Sequence, residues 1–153
     1  HGMEKIEFEV SPHQGISLGP LAKIVSGGEL SRISLAIQVI TSEVSAVPTL
    51  IFDEVDAGIG GRVAEIVGGL LKKLGIERQV MCVTHLAQVA SAGNQQWQVA
   101  KFGDSDNGGN VLSHVTVLKD EERIEEIARM LGGVKITETT RKHAAEMLRE
   151  SKN

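Results

Sequence analysis

The sequence has a single cysteine, no long hydrophobic run and no excess of positive charge, and each absence excludes a class of protein. Because Cys82 is the one cysteine among 153 residues, an internal disulfide, a cysteine-rich zinc site and an iron–sulfur cluster are all excluded. No apolar stretch approaches the roughly 20 residues that cross a bilayer, and the N-terminus lacks the apolar core of a secretory signal. We therefore expect a protein of the reducing cytoplasm.

Composition and charge narrow the class further. The formal net charge of −4 argues against a uniformly basic nucleic-acid binder, although a local basic face stays compatible with it. Hydrophobic residues make up 41% of the chain and charged residues 24%, so the sequence is that of a globular protein and not of a disordered one. Its length predicts a single domain over residues 1–153 with a core of its own.

The apolar pattern in the first half of the chain alternates between strand and helix. Residues 6–10 alternate apolar and polar side chains, which predicts a short strand, and apolar residues every three or four positions from Ser26 predict a helix of about 18 residues. The apolar runs 49–52 and 79–84 predict strands covered on both faces, and residues 62–74 between them predict a helix. This order predicts a right-handed crossover and an α/β fold with a mostly parallel sheet.

The second half of the chain predicts a hairpin and two helices. Strands are predicted at 96–102 and 111–118, and the turn-rich segment 103–110 between them favours an antiparallel hairpin at one edge. An amphipathic helix is predicted from Glu121, with Gly132-Gly133 ending it, and a second one from Thr137 to Leu148.

A first cluster with chemical meaning is Ser26-Gly27-Gly28-Glu29 at the start of the predicted helix. Two glycines leave backbone N–H groups uncovered, and the helix dipole adds partial positive charge, so an anion such as a terminal phosphate is favoured there. The alternative is structural, because Ser26 and Glu29 also have the spacing of a capping box that needs no ligand.

Two further clusters follow the predicted buried strands. Asp53 and Glu54 come after one strand, where one carboxylate can hold Mg²⁺ and the next can orient or deprotonate an attacking water. His85 comes after the other strand and could donate a hydrogen bond to a γ-phosphate. Taken alone, Asp53 and Glu54 could belong to a solvated loop, and His85 could be a structural histidine. Together with the helix start, however, they belong on one rim of one sheet, where α/β proteins bind ligands.

Taken together, these motifs resemble the C-terminal lobe of an ATP-binding-cassette ATPase head of the P-loop NTPase type, and more narrowly the SMC-like group. Residues 26–31 resemble the signature motif, 49–54 the Walker B strand, 55–61 the D-loop, and His85 the switch histidine. Within that group the chain is most similar to the RecN family of bacterial DNA double-strand-break repair ATPases. The similarity runs from about Gly15 to Leu148.

The resemblance implies a role for each matching residue. Asp53 would bind Mg²⁺ through water, Glu54 would be the general base, and His85 would contact the γ-phosphate. Ser26, Gly27, Gly28 and Glu29 would bind ATP held by a second head, so that two heads sandwich two nucleotides. Asp56, at the D-loop position, would couple the two sites.

One element of the family is missing from the sequence. No Gly-x-x-x-x-Gly-Lys-Ser/Thr occurs, so the Walker A loop that holds the phosphates is absent. In the family that lobe lies at the far N-terminal end, beyond a long coiled coil. We therefore expect the chain to be the C-terminal half of a head, whose Walker A lobe is its first partner and which does not hydrolyse ATP by itself.

Three functional hypotheses follow. The first is an ATPase of DNA repair and recombination that closes a head homodimer on duplex DNA, associates with the nucleoid, and has a recombinase such as RecA as a further candidate partner. The second is the nucleotide-binding subunit of a membrane transporter, which Glu29 and Val55-Asp56-Ala57-Gly58 disfavour, because transporter motifs usually have Gln and Pro-Thr-Ser there. The third is a non-catalytic docking module.

Overall fold

The computed structural model describes residues 2, 7–11, 15, 17–21, 27–41, 47–102, 112–132 and 135–151. Helices and strands alternate through the middle of the chain, and a hairpin and two helices follow, as predicted, whereas the strand at Gly19–Pro20 and the short helix at Ala87–Ala92 were not predicted. In chain order the elements are β1 (Glu9–Val10), β2 (Gly19–Pro20), α1 (Gly27–Ile40), β3 (Thr49–Phe52), α2 (Gly61–Leu74), β4 (Gln79–Cys82), α3 (Ala87–Ala92), β5 (Gln96–Phe102), β6 (Leu112–Leu118), α4 (Asp120–Gly132) and α5 (Glu138–Glu150).

The strands β3 and β4 form a parallel pair, and α2 makes the connection between them. Leu50 lies opposite Val80 and Phe52 opposite Cys82. A parallel pair needs such a crossover because the chain must return to the same end of the sheet before the second strand begins. The predicted strand–helix–strand unit is thus confirmed.

The two faces of this pair differ. Phe52 is 7% exposed and packs into the core, whereas its neighbour Ile51 is 70% exposed and Val83, just beyond β4, is 63% exposed. Successive side chains of a strand point to opposite faces, so one face is buried and the other is bare in this chain. The prediction that these strands are covered on both faces is wrong for the chain by itself.

The expectation of a mostly parallel sheet is also not confirmed. Within the described ranges the strands form three two-stranded sheets, of which β3–β4 is parallel while β1–β2 and β5–β6 are antiparallel. The reason lies in the connections. The pair β3–β4 is joined through the helix α2, the crossover that a parallel pair needs, whereas the two strands of each other pair are next neighbours among the described elements.

The hairpin β5–β6 pairs in the predicted antiparallel sense, with Gln96 opposite Leu118 and Lys101 opposite Ser113. One of its faces packs on α4, where Gln98 Nε2 donates to Glu126 Oε2 over 2.7 Å. Its other face is open to solvent and carries apolar side chains. These are Trp97, Val99, Val115 and Val117.

Two hydrophobic clusters share the short helix α3. The first lies between α1, the parallel strands and α2, and it includes Leu35, Phe52 and Val89. The second joins α3 to α4 and α5 through Ala87, Ala90, Ile127, Ala144 and Leu148. Because opposite sides of α3 enter the two clusters, this helix links the site-bearing part of the fold to the C-terminal helices.

Some predicted boundaries differ from the observed ones. Helix α1 ends at Ile40, earlier than a helix of about 18 residues from Ser26 would, and β4 ends at Cys82 instead of Thr84. The predictions on residues 3–6, on Ser26, on the loop 103–110 and on Gly133 lie outside the described residues. No helix in the described ranges is long and apolar enough to span a membrane.

Candidate functional site

The candidate site lies where the two parallel strands end. Asp53 and Glu54 follow β3 directly, and Thr84 and His85 follow β4 after Val83. The backbone N–H of Val83 still donates to Phe52 O over 2.9 Å, so the strands stay paired up to the point where the polar residues begin. The acidic cluster and the histidine therefore share one rim of the sheet, as the carboxyl ends of parallel strands do.

The chain turns sharply at Glu54. Its φ angle is 60°, in the left-handed region, and Glu54 is the one non-glycine residue in the described ranges with a positive φ. Outside glycine this conformation costs about 1–2 kcal/mol, because Cβ crowds the following carbonyl. The N–H of Ala57 donates to Glu54 O over 3.1 Å, which closes the turn and leaves the Glu54 side chain exposed.

Asp56 lies under this turn and is 2% exposed. Its Oδ2 atom accepts from the Thr84 hydroxyl over 2.5 Å and from the backbone N–H of His85 over 3.1 Å. The Nδ1 atom of the His85 ring lies 3.4 Å from the same oxygen. A buried carboxylate is stable only when donors surround it, and here they come from the end of the neighbouring strand.

Arg32 connects the signature helix to the same loop. Its Nη1 atom donates to Ala57 O over 2.8 Å, across 25 residues of sequence. This hydrogen bond holds the loop after β3 against α1.

The signature residues lie at the beginning of α1. Gly27 and Gly28 form its first turn together with Glu29, while Ser26 lies outside the described residues, as does the capping box that would need it. An open groove runs between α1 and β3. It is lined by Leu30, Ser34, Gln38, Leu50, Ile51, Phe52 and Asp53.

Cys82, at the end of β4, is an unreactive thiol. Burial, followed by the nearby carboxylates of Asp56 and Asp53, raises its pKa to about 12, because a thiolate would lose hydration and meet two negative charges. Only the thiolate is a nucleophile or a metal ligand. Cys82 therefore serves as a small, half-buried apolar side chain.

The acidic residues can be compared with what a magnesium nucleotide requires. Among the described residues there is no group of three or more His, Cys, Asp or Glu side chains placed to hold a metal ion. Mg²⁺ usually keeps several waters and takes only one or two carboxylates beside the substrate phosphates. The exposed pair Asp53 and Glu54 fits that requirement and leaves the remaining ligands to water and phosphate.

Two functional contacts escaped sequence reasoning. Thr84 was not singled out, although its hydroxyl is the nearest donor to Asp56, and Arg32 was not expected to contact Ala57. A hydroxyl residue directly before a strand-end histidine was the available signal for Thr84. No local pattern marked Arg32, because its partner is a backbone carbonyl in another element.

The fold is that of an SMC-type ATPase head. The chain superposes with a TM-score of 0.57 and 20% identity on a chain from a study described as "Structural biochemistry of ATP-driven dimerization and DNA stimulated activation of SMC ATPases". The superposition covers 87% of this chain and 77% of the other. No protein-family model matches the sequence.

Within that class the chain corresponds to a segment of the RecN DNA repair proteins. It is 52% identical to DNA repair protein RecN of Vibrio cholerae over 96% of its own length, and 52% identical to that of Haemophilus influenzae over 97%. The Bacillus subtilis protein is 40% identical over 98% of the chain. In each case the chain spans about a quarter (26%) of the relative's length.

Proposed function

We propose that this chain is the signature and Walker B half of an ATPase head that acts in the repair and recombination of broken DNA. The observation that carries the proposal is the shared rim, where the loop after β3 and the histidine after β4 meet at Asp56. The sequence similarity to DNA repair proteins and the fold of an SMC-type head support it.

Each residue of the rim has a proposed task. Asp53 holds Mg²⁺ through water, and Glu54 accepts a proton from the attacking water. The exposed His85 ring reaches the γ-phosphate. Ser26, Gly27, Gly28 and Glu29 bind the nucleotide of a second head, since backbone N–H groups at a helix start favour phosphate.

The head is completed by a Walker A lobe that packs on the bare face of the parallel strands. Ile51 and Val83 are exposed there, and Met81 beside them is 38% exposed. A contiguous exposed apolar face on a folded domain indicates a missing contact. The exposed apolar rim of the groove, with Leu30 and Ile51, supports the same arrangement.

The partners of the completed protein follow from this assignment. They are a second head, duplex DNA ends and, as a further candidate, a recombinase such as RecA, in the nucleoid region of the cytoplasm. The transporter alternative has no support, because the relatives compared here are DNA repair proteins.

The test is ATP turnover by the chain completed with its Walker A lobe, measured with and without linear duplex DNA. Native protein should turn over ATP faster with DNA. Glu54→Gln should abolish turnover and still form ATP-bound head dimers, because the amide keeps the shape of the side chain but cannot accept the proton.

Glu77→Gln is the matched control, since Glu77 is an exposed glutamate in the turn between α2 and β4. It should leave turnover unchanged. Normal turnover in Glu54→Gln would refute the assignment of Glu54 as base. Equal ATP turnover with and without DNA would be compatible with the proposed ATPase chemistry but would contradict its coupling to DNA.

A further inference from the structure

We infer that Asp56 is a positioning residue for His85, and that it orients the histidine ring so that Nε2 faces the rim. The carboxylate comes from the loop after β3 and the histidine from the end of β4, so the contact joins both halves of the rim. The inference depends on the proposed function in one respect only, which is that the group contacted by Nε2 is the γ-phosphate of ATP.

One backbone hydrogen bond ties the histidine to Asp56, and the ring lies close to the same oxygen. The His85 N–H donates to Asp56 Oδ2 over 3.1 Å, and Nδ1 approaches this oxygen to 3.4 Å. A carboxylate only accepts hydrogen bonds, so we assign the proton of the neutral ring to Nδ1, the nitrogen that lies near it. With Nδ1 directed at Asp56, Nε2 is the ring nitrogen left for a ligand at the rim.

The difference in burial shows which partner is the anchor. The Asp56 side chain is 3% exposed, whereas the His85 side chain is 70% exposed. A largely exposed ring beside a buried carboxylate stays accessible to ligand, and the charge beside it favours the ring orientation that turns Nδ1 towards Asp56. Orientation of this kind contributes to catalysis because the reacting partner no longer has to search for the correct rotamer.

Thr84 holds Asp56 in place. Its hydroxyl has one proton and lies 2.5 Å from Asp56 Oδ2 but 3.5 Å from Leu86 O, so Asp56 receives the hydrogen bond. The same hydroxyl oxygen accepts from the N–H of Leu86 over 3.1 Å. The residues on both sides of His85 are therefore tied, directly or through Thr84, to one carboxylate.

This arrangement favours a role within one chain over the predicted coupling of two sites by Asp56. Its carboxylate is buried, and its Oδ2 already accepts two hydrogen bonds, from the Thr84 hydroxyl and the His85 N–H, with His85 Nδ1 3.4 Å away. A group that reaches across an interface needs a free and accessible acceptor. Asp56 thus acts on the partner head only through His85.

The first test observes the ring itself in the 153-residue chain. Long-range ¹H–¹⁵N spectra distinguish the two neutral tautomers of each histidine, and His85 is expected to carry its proton on Nδ1. Asp56→Ala should shift His85 towards the Nε2–H tautomer while the control Glu77→Gln leaves it unchanged. Asp56→Asn keeps the side-chain volume but removes the charge, and it should cause a smaller shift of the His85 tautomer in the same direction. Thr84→Val should also cause a smaller shift of this kind.

A His85 tautomer that is the same in native protein and in every folded variant of this set would overturn the inference. The three variants disturb the contact to different degrees, so a failure of Asp56→Ala to fold does not remove the test. Because this measurement involves no nucleotide, its result is independent of the proposed ATPase activity.

The second test is a double-mutant cycle on the completed ATPase. Asp56→Asn should lower kcat by about 10- to 100-fold, the effect typical of removing a carboxylate that orients a functional histidine. In a His85→Ala background the same change should alter kcat by less than about twofold, because residues that act as one unit are non-additive. An equal loss in both backgrounds would mean that Asp56 acts by another route.

The outcomes separate the two proposals. A completed native protein without ATP turnover would refute the proposed function, while the tautomer experiment would still decide the role of Asp56. Normal turnover together with an unchanged tautomer would refute the role of Asp56 alone.

Discussion

At the scale of single residues, Arg123 and Glu126 on α4 each make hydrogen bonds that reach beyond their own helix. The Arg123 guanidinium donates to the backbone carbonyls of Gly93 over 2.6 Å and Asn94 over 3.1 Å, and burial lowers the pKa of Arg123. Glu126 accepts from Arg129 on its own helix and from Gln98 on the hairpin. These contacts attach β5 to α4 and so keep the hairpin on the body of the fold.

Glu126 provides a prediction about stability and pH. The two hydrogen bonds from Arg129, at 2.8 and 2.7 Å, hold the pKa of Glu126 below its ordinary value, although partial burial opposes them. Glu126→Gln should lower the free energy of unfolding at pH 7 by about 1–2 kcal/mol, because it removes the charge from these hydrogen bonds.

The sign of the pH dependence follows from the lowered pKa. A depressed carboxyl pKa contributes stability above the unfolded pKa, and that stability is lost as pH falls through the folded pKa. The difference between native protein and Glu126→Gln should therefore shrink towards zero in denaturant titrations at pH values below the ordinary glutamate pKa. The exposed Glu146→Gln on α5 is the control, and a difference that stays constant with pH would contradict the assignment.

At the scale of elements, the close approach of α2 and α3 positions the site. A Cβ atom on Gly68 would lie 3.0 Å from Gln88 O and 3.1 Å from Ala92 Cβ, so the helices meet where α2 has no side chain. Helix α3 begins two residues after His85 and α2 begins shortly after Asp56. The separation of α2 and α3 therefore affects the distance between the loop after β3 and the residues after β4.

Two neighbouring glycines of α2 provide a matched pair of variants. Gly68→Ala should lower the free energy of unfolding by about 1–3 kcal/mol, because the methyl group meets backbone that cannot move away cheaply. Gly69→Ala has open space around it and should raise the free energy of unfolding by about 0.5–1 kcal/mol through the gain in helix propensity. Chemical denaturation measures both, and equal effects of the same sign would contradict the close approach.

At the scale of the whole molecule, two buried hydrophobic clusters joined by α3 lie beside apolar faces that are exposed. Helix α3 contributes Val89 to one cluster and Ala87 and Ala90 to the other, so both clusters depend on the same short helix. The exposed apolar residues lie on the outer face of β3–β4 and on the outer face of the hairpin. This distribution suits a lobe that packs against further protein.

The corresponding prediction concerns nucleotide binding by the 153-residue chain. Titration with ATP and Mg²⁺ in a calorimeter should show no binding in the micromolar range, because the sequence has no Walker A loop and residues 26–29 are proposed to serve a second head. The completed head, titrated in the same way, is the control and should bind. Micromolar binding by the chain alone would contradict the split site.

The sequence by itself determined the order of the longer helices and strands, because each shows the apolar period of its own structure within a few turns of chain. The short elements β2 and α3 were not predicted, since two and six residues carry too little periodicity. It also determined the candidate residues Asp53, Glu54 and His85, since motif spacing is a local property. The predicted helix boundaries and the predicted pairing of the two hairpin strands lie close to the observed ones, because both also follow from local patterns.

The tertiary structure alone decided what these residues touch. The contacts of Asp56 with Thr84 and His85 span 28 and 29 residues, and the contact of Arg32 with Ala57 spans 25. A periodic pattern shows which face of an element is apolar but not what lies opposite it, which is why the bare face of β3–β4 was not foreseen. Contacts between distant segments depend on how the elements pack, and that is determined by the whole chain at once.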